Sequence, residues 1–164
     1  MSVMKQETCL VTVDYDLPID AVIEAGRYWF VSKRVLGTRL LSSRTGIEEL
    51  EGLVVNFDQS PGPTTPRVLK TLSKAGLRPA DLRELTAFGM NYQDTLGKRR
   101  VVALGRNEIT RDGDGNPCCA TILERRHPDA RPHLKVACDD PTKKWTSLDW
   151  FLAFREQEAG SWHE

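Results

Sequence analysis

Five residues in the second half of the chain come nearest to a reactive set: Cys118, Cys119, His127, His133 and Cys138. Zinc takes four nitrogen or sulfur ligands in a tetrahedron, normally built on a pair of ligands about two to four residues apart. This chain has no CxxC, and its cysteine and histidine spacings are loose. Cys138 also alternates with Leu134 and Val136, which places its sulfur on the apolar side of a strand. A nucleophilic cysteine needs an imidazole beside it to draw its pKa down. His127 or His133 would serve Cys118 or Cys119 only if the fold brought them together, so a thiol- or metal-dependent enzyme is the last of three readings. Cys9 alternates with Val11, Val13 and Tyr15 and reads as a small core hydrophobe.

Oxygen ligands are imitated once. Asp112, Asp114 and Asn116 match the first three positions of a calcium loop, but Pro117 stands where glycine is needed and Leu123 where the closing glutamate is needed. The run Asp112-Gly113-Asp114-Gly115-Asn116 reads instead as a tight turn between two strands. Glu49 and Glu51 share one strand face, and Asp139 and Asp140 are adjacent. Acid–base catalysis needs two carboxylates in unlike environments, and an exposed acidic face is the plainer reading of either pair. The sequence has no GxGxxG, no phosphate-cradling glycine loop and no GxSxG. No catalytic residue, metal or cofactor is expected.

Charge points to binding. The 23 Lys/Arg and 23 Asp/Glu cancel, but unevenly: residues 1–60 are net −3, residues 61–135 net +6 and residues 136–164 net −3. Lys98, Arg99, Arg100, Arg125 and Arg126 head the basic centre. Lys143, Lys144 and Trp145 form a second group: Trp29, Trp145, Trp150 and Trp162 read first as core or rim packing, and of the four Trp145 is the best candidate for an exposed aromatic contact. A nucleic-acid binder held mainly by charge would show an overall basic balance, so nucleic acid ranks behind a protein partner.

The elements that must position these groups follow from periodicity. Residues 9–15 alternate as a half-buried strand, and Asp16-Leu17-Pro18 opens a short helix ending near Gly26. Tyr28, Trp29 and Phe30 suit either core or interface. Residues 47–57 form a strand with Leu53, Val55 and Phe57 on one face. After the Ser60-Pro61-Gly62-Pro63 loop, Thr65 caps a helix with Pro66 at its first position, a stripe of Val68, Leu69, Leu72 and Ala75, and a left-handed stop at Gly76. Pro79 starts a second helix, residues 79–90, with Leu82, Leu85, Phe88 and Tyr92 inward and Arg83 and Glu84 outward. Residues 98–104, 118–124, 134–138 and a well-buried segment around Trp150, Leu152 and Phe154 supply further strands. A helix-turn-helix could be drawn over the two central helices, but Asp81 and Glu84 at the head of the second would repel phosphate.

The run Gly76-Leu77-Arg78-Pro79-Ala80, then Glu84-Leu85, Ala87-Phe88-Gly89 and Tyr92, Val102-Ala103-Leu104-Gly105, the Asp112 turn and the closing Trp150-Phe151-Leu152-Ala153-Phe154-Arg155 resemble a widespread group of small bacterial proteins with no assigned activity. Asp14-Tyr15 through Pro18 and Ala25-Gly26-Arg27-Tyr28 extend the likeness towards the N-terminus. The resemblance implies a bacterial, cytosolic, single-domain protein and no mechanism. The length of 164 residues and the 40% apolar, 28% charged composition also indicate one globular domain over residues 1–164. No segment approaches the roughly 18 apolar residues of a membrane helix, and no secretory leader is evident, so a cytoplasmic protein without a membrane partner is expected. The expected fold is α+β: an antiparallel or mixed sheet of about five or six strands with two or three helices mainly on one face. The expected function is non-catalytic binding or assembly, with a nucleic-acid-binding basic surface as the alternative.

Overall fold

The computed structural model describes residues 5–25, 28, 30–31, 44–58, 61–92, 98–105, 120–124, 132–137 and 142–156. Its elements run β1 (Lys5–Asp14), α1 (Ile19–Ala25), β2 (Phe30–Val31), β3 (Ile47–Asn56), α2 (Thr65–Lys74), β4 (Leu77–Pro79), α3 (Leu82–Tyr92), β5 (Arg100–Ala103), β6 (Ala120–Glu124), β7 (His133–Ala137) and β8 (Asp149–Arg155). One mixed sheet carries the strands in the order β1-β3-β8-β5-β6-β7-β2, with β4 also paired to β8. The α+β class is as expected. Two of the eight strands, β2 and β4, are only two and three residues long, which leaves six of ordinary length.

β8 organises the sheet. Its sequence DWFLAFR is almost continuously apolar, as a strand covered on both faces must be. On one side it pairs antiparallel with β3. Its other side is divided: Asp149 to Phe151 pair parallel with β5, and Ala153 to Arg155 pair antiparallel with β4. Side-chain alternation then makes two cores. Cys9, Val11, Val13, Val54, Val101, Leu123, Leu134, Leu152 and Phe154 lie on one face under Ile23 of α1 and Leu82, Leu85 and Phe88 of α3. Val55, Phe57, Val102, Phe151 and Ala153 lie on the other under Val68 and Leu72 of α2. Two helices therefore cover one face and the third covers part of the opposite face.

Several expectations are corrected at the helix ends. Thr64 caps α2, one residue before the expected Thr65, whose hydroxyl instead accepts from Trp145 Nε1 at 2.9 Å. Leu69 and Ala75 lie on the exposed side of α2, leaving Val68 and Leu72 as its buried stripe. Gly76 does stop α2 in the left-handed region, at φ +73. Pro79 does not start a helix: it ends β4, and α3 begins at Leu82. Arg83 and Glu84, expected outward, are both buried.

α3 also caps the sheet's β1 edge at two points. Tyr92 Oη accepts from the Leu10 amide at 3.0 Å and donates to the Leu10 carbonyl at 3.2 Å, while Arg83 donates to the Asp14 carbonyl at 3.1 Å. An uncapped edge strand would offer these groups to another chain. Among the described residues, no helix is long and apolar enough to cross a membrane.

Candidate functional site

The most constrained polar cluster sits where α3 starts. Asp81 and Glu84 form a reciprocal capping box: the Glu84 amide donates to Asp81 Oδ1 at 2.8 Å and the Asp81 amide donates to Glu84 Oε1 at 2.9 Å. Arg78, arriving from β4, donates Nη1 to Oε1 at 2.9 Å and Nη2 to Oε2 at 2.7 Å, and Tyr15 donates its hydroxyl to Oε2 at 2.8 Å. Burial alone would raise the Glu84 pKa, but the Arg78 guanidinium, the Asp81 amide and the Tyr15 hydroxyl outweigh it and hold the carboxyl below its ordinary range. Asp81 is pushed up to about 6, first by burial and then by the neighbouring Glu84 charge. Burial and the Glu84 charge push the Tyr15 phenol up as well. Arg78 lies 5.2 Å from the Phe154 ring centroid. This hub ties β1, β4 and α3 together, and every acceptor oxygen of Glu84 is occupied. Its geometry suits fixing a fold rather than transferring a proton.

A second buried carboxylate also faces an arginine. Asp149 Oδ1 lies 2.8 Å from Arg100 Nε, and its Oδ2 accepts from the Thr146 amide at 2.8 Å and hydroxyl at 3.0 Å. Asn56 anchors the same turn by donating to the carbonyls of Ser147 at 2.8 Å and Asp149 at 3.1 Å.

A cavity of about 240 Å³ opens between β1, β5 and the end of α3, lined by Cys9, Val54, Phe88, Tyr92 and Val101, with Glu7 and Arg99 also on its wall. Cys9 is a free, buried thiol whose pKa burial pushes up to about 11, so little nucleophilic thiolate exists at neutral pH. Gly52 makes room for it, since a Cβ there would lie 3.1 Å from the Cys9 sulfur and 2.7 Å from the Phe154 ring. Among the described residues, no group of three or more His, Cys, Asp and Glu side chains gathers around a common point.

The basic residues expected to bind are placed very differently. Arg99 pairs with Glu7 at 2.6 Å and lies 5.1 Å from the Trp150 ring centroid, and Arg100 is committed to Asp149. Lys98 is exposed. Lys143 and Lys144 are exposed as well. Trp145, expected as an exposed contact aromatic, is buried, at 5% exposure. It meets Phe151 edge-on at 5.6 Å, and its indole N–H satisfies Thr65, so the ring belongs to the core. The Lys143 ammonium lies 4.9 Å from the ring centroid. His133 lies in β7, opposite Glu124 of β6. Arg125, Arg126, Cys118, Cys119, His127, Cys138 and the Asp112 turn lie outside the described residues, as do Trp29, Asp139 and Asp140.

Beside Lys143 and Lys144 stands a group that the sequence reading did not single out. Arg67, Lys70 and Lys74 recur at helical spacing on α2, all exposed, and α2 carries no acidic residue. Thr64, just before α2, bridges to Lys144, which brings the two groups together. Thr64, Pro66, Arg67, Lys70, Thr71 and Lys74 line a broad depression of about 540 Å³. Elsewhere, six of the nine other described Lys and Arg side chains find carboxylates: Lys5 with Asp58, Arg44 with Glu48, Arg78 with Glu84, Arg99 with Glu7, Arg100 with Asp149 and Lys135 with Glu124. No ion pair joins Arg67, Lys70, Lys74, Lys143 or Lys144 to a described carboxylate. The signal in the sequence was the i, i+3, i+7 recurrence at 67, 70 and 74, which the apolar stripe of the same helix overshadowed. Comparison of the chain with protein-family models, with curated proteins and with solved structures finds no match.

Proposed function

We propose that this chain is a cytoplasmic, non-catalytic binding protein that docks an acidic protein surface on the exposed side of α2 and the adjoining Lys143 and Lys144. One observation carries the reading: these five cations are clustered and exposed without an ion pair to a described carboxylate, in a molecule that pairs most of its other described cations. Leu69, 36% exposed between Arg67 and Lys70, gives the face an apolar contact of the kind protein interfaces use. Bases of a single strand would need an exposed aromatic to stack on, and Trp145, the described aromatic against Lys143, is in the core. The buried, firmly protonated Cys9 and the fully engaged Glu84 support the non-catalytic part of the proposal.

Fluorescence anisotropy with a labelled oligoglutamate peptide and with a labelled DNA duplex tests it. The expected result is salt-sensitive binding of the peptide that is lost when Arg67, Lys70 and Lys74 are changed to glutamate. Tighter binding of the duplex, abolished by the same changes, would replace this reading by the nucleic-acid one. Binding of neither probe would remove both.

A further inference from the structure

α2 covers only part of its face of the sheet. Among the described residues, no element covers the part of that face built from β1 and the first half of β3. Leu10 and Thr12 of β1 stand opposite Glu51 and Glu49 of β3, so all four share that face, together with Ile47. Ile47 is 70% exposed and Leu10 50%, and Glu49 and Glu51 are exposed and form no ion pair with a described cation. A protruding cationic helix thus lies beside an open acidic and apolar strip, on one side of one molecule.

That arrangement is self-complementary. A two-fold axis set between α2 and the bare strip, in the plane where the two copies face each other and perpendicular to the line joining helix to strip, lays each α2 on the other copy's strip. Dimensions agree: α2 is about 15 Å long, and the strip from Ile47 to Glu51 is about 14 Å. The rise between Lys70 and Lys74 is about 6 Å, and the Glu49–Glu51 spacing is about 7 Å. Leu69 would meet Leu10 or Ile47. From these matches we infer that the acidic partner of α2 is a second copy of this chain, in a symmetric dimer that sets Arg67, Lys70 and Lys74 of each copy against Glu49 and Glu51 of the other. The inference rests on the binding role proposed for α2 and supplies its partner. One group opposes it: Arg155 shares a cavity wall with Glu49 and Glu51 and forms no ion pair with a described carboxylate, whereas Arg44 and Arg78 on the same wall are committed to Glu48 and Glu84.

Sedimentation equilibrium of the full chain, from micromolar to near-millimolar concentration, tests the dimer. Wild type is expected to dimerise reversibly and more weakly as salt rises. Lys70→Glu/Lys74→Glu alone and Glu49→Lys/Glu51→Lys alone should each raise the dissociation constant at least about tenfold. An equimolar mixture of the two variants should restore dimers, since both contacts become complementary again. Arg155→Gln should tighten the wild-type dimer. All the changed side chains are exposed, and circular dichroism verifies folding. Wild-type protein monomeric throughout, or variants that fail to rescue each other, would overturn the inference. Peptide binding that persists in a monomeric protein would leave the binding role of α2 intact while removing the second copy as its partner.

Discussion

Glu84 and Lys70 both carry charge on helices that pack against the same sheet, from opposite faces, and the fold treats them oppositely. Glu84 is fully buried, and Arg78, Tyr15 and the Asp81 amide occupy both its oxygens. Lys70 is exposed and has two like charges on its own helix for neighbours. A buried charge is tolerable only when its hydrogen bonds and counter-charge are supplied internally, which leaves it nothing to offer a partner. An exposed cluster of one sign stabilises nothing internally and raises the local potential instead. The first kind of site should therefore govern stability without affecting binding, and the second should do the reverse.

Glu84→Ala gives the largest effect. It removes the counter-charge of a mostly buried arginine and one side of a capping box, and breaking a buried pair in this way costs about 3–5 kcal/mol. Urea unfolding should show the free energy of unfolding falling by that amount, through a lower midpoint at an unchanged slope. A loss below about 1 kcal/mol would mean that solvent reaches Arg78 and that the hub is not the anchor described here. Tyr15→Phe follows. It deletes a single hydrogen bond to a charged acceptor, leaves the ring in place and should cost about 2 kcal/mol in the same measurement.

The third prediction concerns pH. Asp81 titrates in the fold near 6, above its ordinary 3.8, so its charged form is penalised at neutral pH and the penalty is relieved as pH falls from 6 towards 3.8. Glu84 has the opposite sign. Its lowered pKa contributes stability that is present above its ordinary 4.5 and is lost as pH falls through the folded value. Stability should therefore rise on mild acidification, by on the order of 1–2 kcal/mol, before falling in stronger acid. Asp81→Asn keeps an oxygen for the Glu84 amide and should flatten the rise while sparing the fall. A wild-type profile that declines steadily below pH 7 would contradict the assignment.

Periodicity carried most of the architecture, because it records which side chains avoid water. The alternation of Val11 and Val13, of Leu53, Val55 and Phe57, and of the segment around Leu152 each appears as a strand in the expected place. Polar residues were harder, since their burial depends on partners distant in sequence. Glu84 looked solvent-facing because Tyr15 lies 69 residues away and Arg78 arrives on a strand of three residues that no periodicity could announce. The Asp81-Leu82-Arg83-Glu84 spacing was nevertheless a legible capping box, and reading it would have moved the helix start from Pro79 to Leu82. Trp145 was misplaced for a related reason. Two flanking lysines suggest water, yet one residue of a loop can turn inward when its N–H finds Thr65, and local composition does not encode that contact.

The smallest stability effect should accompany the largest binding effect. Arg67, Lys70 and Lys74 make no ion pair with a described carboxylate, and like charges at helical spacing repel by a few tenths of a kcal/mol per pair. Changing all three to glutamate exchanges one repulsive set for another, so unfolding free energy should move by no more than about 0.5 kcal/mol. The position of the charges decides the sign of the residual change. Arg67 lies in the first turn, where an acidic side chain is favoured by the helix dipole, and Lys74 in the last, where a basic one is. The two end effects should cancel in the triple variant and separate in the single ones: Arg67→Glu slightly stabilising, Lys74→Glu slightly destabilising. Thermal melts of the three proteins would resolve this order. A triple variant destabilised by several kcal/mol would mean that these cations support the fold, and the contrast between the two faces of the sheet would collapse.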